Sequence, residues 1–170
     1  ISGDFKIYFR DIEFIVYLLI ILFVTSIIFY SISSFDENFS IENFRESFFA
    51  TVCMLTGTGF VLGDYEMWPI FVQMIILILM FIGGMGGSTT GGLKIIRIIL
   101  LGKYTASETR RMLHSRALIP VKIGKQLIVE DVVRNTLGYF LFFMSVFILS
   151  ALMLSSMGLN MESSIGAAAS

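Results

Sequence analysis

Residues 81–94 read Phe81-Ile82-Gly83-Gly84-Met85-Gly86-Gly87-Ser88-Thr89-Thr90-Gly91-Gly92-Leu93-Lys94. Six glycines stand in the ten positions 83–92. Such a run cannot hold a stable helix, because each glycine costs about 1 kcal/mol relative to alanine. Yet it is flanked by apolar sequence, 67–82 before it and 93–101 after it, the second carrying Lys94 and Arg97. The first flank falls short of the ~20 residues a helix needs to cross a bilayer. The break is therefore expected within the depth of a membrane, where freed backbone groups need partners that Ser88, Thr89 and Thr90 can partly supply.

Composition agrees. Of 170 residues, 56% are hydrophobic and only 15% charged, with 17 Phe and 10 Met. Soluble domains carry about 25% charge. Mean hydropathy is +0.86, which excludes a disordered chain. The net charge of −1 gives no sign of a nucleic-acid partner. A single cysteine, Cys53, excludes an internal disulfide; it is expected to pack in a helix. His114 is expected to be solvated, and no ligands stand at metal-binding spacing. The chain begins at Ile1 and stops at Ser170 inside an expected helix, so it is expected to be a piece of a larger protein.

Residues 14–32 and 136–157 are each long enough to cross a hydrocarbon core of roughly 30 Å at about 1.5 Å per residue. Orientation follows from charge. Between positions 94 and 134 lie Lys94, Arg97, Lys103, Arg110, Arg111, Arg116, Lys122, Lys125 and Arg134, against Glu108, Glu130 and Asp131. On the other side, between 33 and 66, lie Asp36, Glu37, Glu42, Glu46, Asp64 and Glu66 against Arg45. The basic connector, 102–129, is expected to be cytoplasmic, with lipid contact.

The acidic outer segment contains a short helix, 41–55. Ser40 can cap it, Glu42 falls in its first turn, and Phe44, Phe48, Val52 and Leu55 share a face. At ~22 Å it is too short to cross, and a helix that enters and stops partway fits better. After it comes Thr56-Gly57-Thr58-Gly59-Phe60. Running back outward as an extended strand, this stretch can turn its carbonyls toward one axis and replace the hydration shell of a bare cation. Glycine reaches the backbone angles such a path needs. The helix C-terminus would add partial negative charge, and Asp64 and Glu66 would concentrate cations outside. In isolation Thr-Gly-Thr-Gly is better accounted for by a plain Gly-rich turn; the order span, short helix, TGTGF, span, with acidic outside and basic inside, reverses that in favour of the ion path.

The glycine run has other readings. A dinucleotide fingerprint needs glycine at position 89, which is Thr89, and a phosphate-binding P-loop needs lysine where Gly92 stands. Gly83-x3-Gly87 and Gly87-x3-Gly91 fit a small-residue helix-packing motif, which stays open beside a pliable break able to act as a constriction. Lys94 and Arg97 fit interfacial snorkelling; alternatively Lys94 lines an inner vestibule.

The stretch 81–94 together with Leu55-Thr56-Gly57-Thr58-Gly59-Phe60, Gly63-Asp64-Tyr65 and Trp68-Pro69 resembles the Trk/Ktr/HKT superfamily of potassium transporters, specifically a TrkH-type membrane subunit. The resemblance covers position 11 to the end. That family repeats a span, pore helix and span four times in one chain, each repeat contributing one filter strand. It implies an all-α polytopic membrane fold in which Thr56, Gly57, Thr58, Gly59 and Phe60 belong to a selectivity filter. Gly59 matches the filter glycine, whereas Gly57 departs from the side chain often found there. By the same resemblance Gly83, Gly84, Gly86, Gly87, Ser88, Thr89, Thr90, Gly91 and Gly92 form a gate loop below the filter. Implied partners are the remaining pore repeats, a second copy in a homodimer, and a cytoplasmic nucleotide-binding regulatory subunit. The implied location is the cell membrane.

A faint internal repeat supports this division. Asp11-Ile12-Glu13 precedes the first span and Glu130-Asp131 the third; Glu13 to Glu46 is 33 positions and Glu130 to Glu162 is 32. The expected organisation is one complete repeat over 11–101 (span 14–32, pore helix 41–55, filter 56–60, broken span 67–101), the connector 102–129, and the opening of a second repeat over 130–170 (span 136–157, truncated pore helix 162–170). The expected function is potassium translocation through a carbonyl filter, with K+ as cargo and no cofactor. No nucleophile–base pair or paired carboxylates mark an enzyme. A single-repeat tetrameric pore-loop channel and a non-transporting membrane scaffold are the alternatives.

Overall fold

The computed structural model describes residues 11–35, 39–60, 62–63, 65–113, 122–123 and 126–169. Among them are six α-helices: α1 (Ile12–Phe35), α2 (Ile41–Thr56), α3 (Ile70–Phe81), α4 (Ile95–Leu113), α5 (Glu130–Ser156) and α6 (Met161–Ala169). One 3-10 turn, Tyr65–Met67, precedes α3. A two-residue antiparallel ladder pairs Lys122 with Leu127 and Ile123 with Gln126. The fold is otherwise all-α. Asp36, Glu37, Val61, Asp64, His114, Arg116, Lys125 and Ser170 lie outside the described residues.

The chain divides into two compact units, Ile1–Lys94 with Ala169–Ser170, and Ile95–Ala168. In the first, Asp11 starts α1: its carboxylate accepts the N–H of Glu13 at 2.9 Å and its carbonyl that of Ile15 at 3.1 Å. At 24 residues with mean hydropathy 2.7, α1 is long and apolar enough to cross a membrane. It buries Thr25, Ile28, Ile32 and Ser33 but exposes Leu19, Leu22 and Phe23. Ile28 and Ile32 form a core with Val72 and Ile76 of α3, flanked by Met54, Tyr65 and Trp68. The start of α3 is tied down by Gln73, whose Nε2 donates to the carbonyls of Glu66 and Trp68 at 3.0 and 2.9 Å.

Ser40 caps α2 as its sequence implies, its hydroxyl accepting the N–H of Asn43 at 3.1 Å. The buried face of α2 includes Leu55 of the expected apolar stripe but turns mainly on small residues. Ser47, Ala50, Thr51, Cys53 and Leu55 are buried, whereas Phe44 and Phe48 are 49% and 45% exposed. Small residues let helix backbones approach closely in a membrane protein, and large apolar ones are free to face lipid. The hydroxyls of Ser47 and Thr51 are satisfied within the helix, on the carbonyls of Asn43 and Ser47. Phe44 packs edge-on against Phe29 of α1 with ring centroids 5.8 Å apart.

In the second unit, α4 runs to Leu113, twelve residues past the expected end at 101. Hydropathy falls there but helix propensity does not. Lys103, Ala106, Glu108, Arg110 and Arg111 are good helix formers, Arg110 and Arg111 complement the dipole of the last turn, and Arg111 pairs with Glu108 at 2.9 Å. Arg97 on α4 lies 3.8 Å over the ring of Tyr139 on α5. Like α1, α5 is long and apolar enough to span. A turn through Gly158 at φ +95° leads to α6.

Candidate functional site

The chain leaves α2 through a glycine cap. Gly57 adopts φ +64° and ψ +24°. Its N–H donates to the carbonyl of Met54 at 3.2 Å, and the N–H of Thr58 donates to that of Cys53 at 3.1 Å. These two bonds form a Schellman motif, which needs a left-handed residue at this position. Thr56 is consequently the last helical residue, one position beyond the expected boundary, and its hydroxyl donates to the carbonyl of Val52 at 2.7 Å. Beyond the cap Thr58, Gly59 and Phe60 have no regular secondary structure and are exposed. Gly59 is again left-handed, φ +68°, with no atom within 4 Å of the position a Cβ would take. Its glycine is demanded by backbone conformation alone.

Residues 83–92 are not helical, which removes the small-residue helix-packing reading of this run. The chain instead makes a pinched loop. The N–H of Gly83 donates to the carbonyl of Leu93 at 2.8 Å, and the N–H of Leu93 to that of Phe81 at 2.9 Å. These bonds form a parallel bridge between Ile82 and Leu93 at the neck. A Cβ on Gly83 would run into the carbonyl oxygen of Gly91, and Gly92 holds φ +76°. Gly87 and Gly91 have open space around them.

Inside the loop the polar groups find partners one by one. The N–H of Ser88 donates to the carbonyl of Met85 at 2.8 Å, the N–H of Thr90 to the Ser88 hydroxyl at 3.2 Å, and the Ser88 and Thr90 hydroxyls are bonded to each other. Lys94 turns back to donate to the carbonyl of Ser88 at 2.6 Å and to that of Thr90. The N–H of Gly86 donates to the carboxylate of Glu13, from the first turn of α1. Sequence reasoning missed this role for Glu13, because an acidic residue in a first helical turn is already explained by the helix dipole.

The end of α2 and the loop meet around one open cavity of about 410 Å³, lined by Tyr17, Thr56, Gly57 and the loop between Gly84 and Gly91. Gly59, Phe60 and Lys94 do not line it. Hydroxyl and backbone groups dominate its wall, and among the described residues no cluster of His, Cys, Asp and Glu is placed to hold a metal ion.

The family model described as TrkH, a cation transport protein, matches residues 9–170. This chain belongs to the TrkH family. It is 32% identical over 166 residues to the Trk system potassium uptake protein TrkH of Escherichia coli strain K12, covering 94% of this chain and 34% of that protein. Against the TrkG protein of the same strain the identity is 33%, covering 94% and 33%. The crystal structure of the potassium transporter TrkH from Vibrio parahaemolyticus superposes with a TM-score of 0.91 at 33% identity, covering 99% of this chain and 37% of that one. The chain thus spans about a third of the length of the curated relatives it matches. These relatives are membrane transport proteins and not enzymes.

Proposed function

We propose that this chain is a segment of a potassium-translocating TrkH-type subunit. In this reading the backbone around Thr56, Gly57, Thr58, Gly59 and Phe60 is one strand of a carbonyl selectivity filter, and residues 83–92 are an intramembrane gate below it. The observation that carries it is the cavity shared by the glycine-capped end of α2 and the pinched loop. An ion leaving the Thr56–Gly57 backbone would meet the loop next. The short helix would not span, and residues 11–101 would form one pore repeat, with 130–170 opening the next.

One strand cannot encircle an ion, so conduction would require the remaining repeats of the full-length protein. A homodimeric assembly in the cell membrane, lipid around α1 and α5, and a nucleotide-binding regulatory subunit on the basic connector 102–129 belong to the same proposal. Within it Lys94 serves the loop's shape as much as any inner vestibule.

The test is rubidium uptake by the full-length protein in potassium-starved cells, wild type against Gly59→Ser. Lost or sodium-tolerant uptake at unchanged membrane abundance supports the filter. Unchanged rate and selectivity would leave 56–60 as a turn and favour a scaffold role for this segment.

A further inference from the structure

The 83–92 loop is held by opposite charges at different points of its backbone. Asp11 already caps α1, accepting the N–H of Glu13 itself. Glu13 is the second residue of α1, one short of the third position from which a first-turn acid reaches back to the cap. It reaches instead across 73 positions to accept the N–H of Gly86. The carboxylate faces the loop squarely: a Cβ on Gly86 would stand 3.5 Å from both of its oxygens. Lys94 grips the acceptor side, on the carbonyls of Ser88 and Thr90. Among the described residues Glu13 and Lys94 make no ion pair with each other, so each charge acts on the dipoles of the loop.

A non-helical loop at membrane depth persists only where its backbone groups are satisfied. Gly83 N–H is held by Leu93, Ser88 N–H by Met85 and Thr90 N–H by the Ser88 hydroxyl. All of these are contacts within the loop and its neck. Glu13 supplies a hold from outside, out of α1. We propose that Glu13 is a positioning residue for the glycine-rich loop, a carboxylate latch that fixes the loop in the conformation described above. The functional consequence, easier loop movement and altered cation flux once Gly86 is released, rests on the gate reading.

Hydrogen–deuterium exchange on the full-length protein separates the two ideas. In Glu13→Ala the amides of 84–88 are expected to exchange about tenfold faster, given the strength of a charge-assisted hydrogen bond, while the amides of α3 are unchanged. Glu13→Gln keeps the shape and one acceptor oxygen and is expected to fall between; it also serves if the alanine variant fails to fold. Unchanged exchange in folded Glu13→Ala, or in folded Glu13→Gln should the alanine variant not fold, overturns the latch. Faster exchange with rubidium uptake equal to wild type upholds the latch and removes the gate reading instead.

Discussion

A Cβ on Gly57 would lie 3.0 Å from the Cγ2 methyl of Thr90. The residue that caps α2 and the residue near the end of the glycine-rich loop are therefore in direct approach, although 33 positions separate them. Their contact is the physical link between the two segments proposed as filter and gate.

Gly57→Ala is accordingly expected to destabilise the full-length protein by about 1–2 kcal/mol from the left-handed backbone alone, with a further cost from the crowded methyl. Thr90→Ser removes that methyl and keeps the hydroxyl. The double variant should recover the steric part and not the conformational part. A double-mutant cycle on thermal midpoints in detergent measures it; strict additivity would deny the contact.

The glycines of the loop and of the segment after α2 should differ sharply from one another. Gly83→Ala drives a methyl into the carbonyl of Gly91, a backbone atom that cannot rotate away, and should abolish the folded loop or the protein. Gly87→Ala meets nothing within 4 Å and needs no left-handed angle, so it should stay within about 0.5 kcal/mol of wild type. Gly59→Ala has equal space but φ +68°, and should cost about 1–2 kcal/mol. Membrane abundance and melting of the three variants give the ranking Gly83, then Gly59, then Gly87.

These differences show where the sequence was informative. The N-cap of α2 was legible because Ser40 carries local chemistry that needs no partner elsewhere; the cap at Gly57 was not, since a glycine suits the extended path expected for 56–60 as well as a left-handed helix end. The helix break at 83–92 was legible from glycine propensity. Its neck was not, since the bonds joining Gly83, Leu93 and Phe81 pair backbone groups, and nothing in a side chain announces them. Most of the buried face of α2 was not legible for a related reason. Counting apolar residues selects Phe44 and Phe48, but close packing selected Ser47, Ala50 and Thr51, and lipid removes the penalty for leaving aromatics outside. The length of α4 was missed because hydropathy drops at Gly102 while helix propensity continues to Leu113.

The Arg97–Tyr139 contact predicts coupling between α4 and α5. A guanidinium 3.8 Å over a ring is worth about 0.5–1 kcal/mol at an accessible site. Tyr139→Leu should lose this, and Tyr139→Phe should retain most of it because the ring face is unchanged. Arg97→Lys should lose part, since an ammonium stacks less well on a ring. Equal effects of Leu and Phe at 139 would show that packing alone joins the helices there.

Lys94 offers a prediction about shape as opposed to charge. Its ammonium donates to two carbonyls of the loop, and charge-assisted bonds of this kind are worth more than neutral ones. Partial exposure discounts them, leaving about 1 kcal/mol. Lys94→Met keeps the stem and removes the donors, so the Ser88–Thr90 turn should lose protection in hydrogen exchange while α4 is unaffected. Lys94→Arg keeps the charge but presents a planar fork to two carbonyls arranged around a point donor, and should restore protection only in part. If the charge mattered only for topology, Arg would equal Lys and the loop amides in Met would exchange as in wild type.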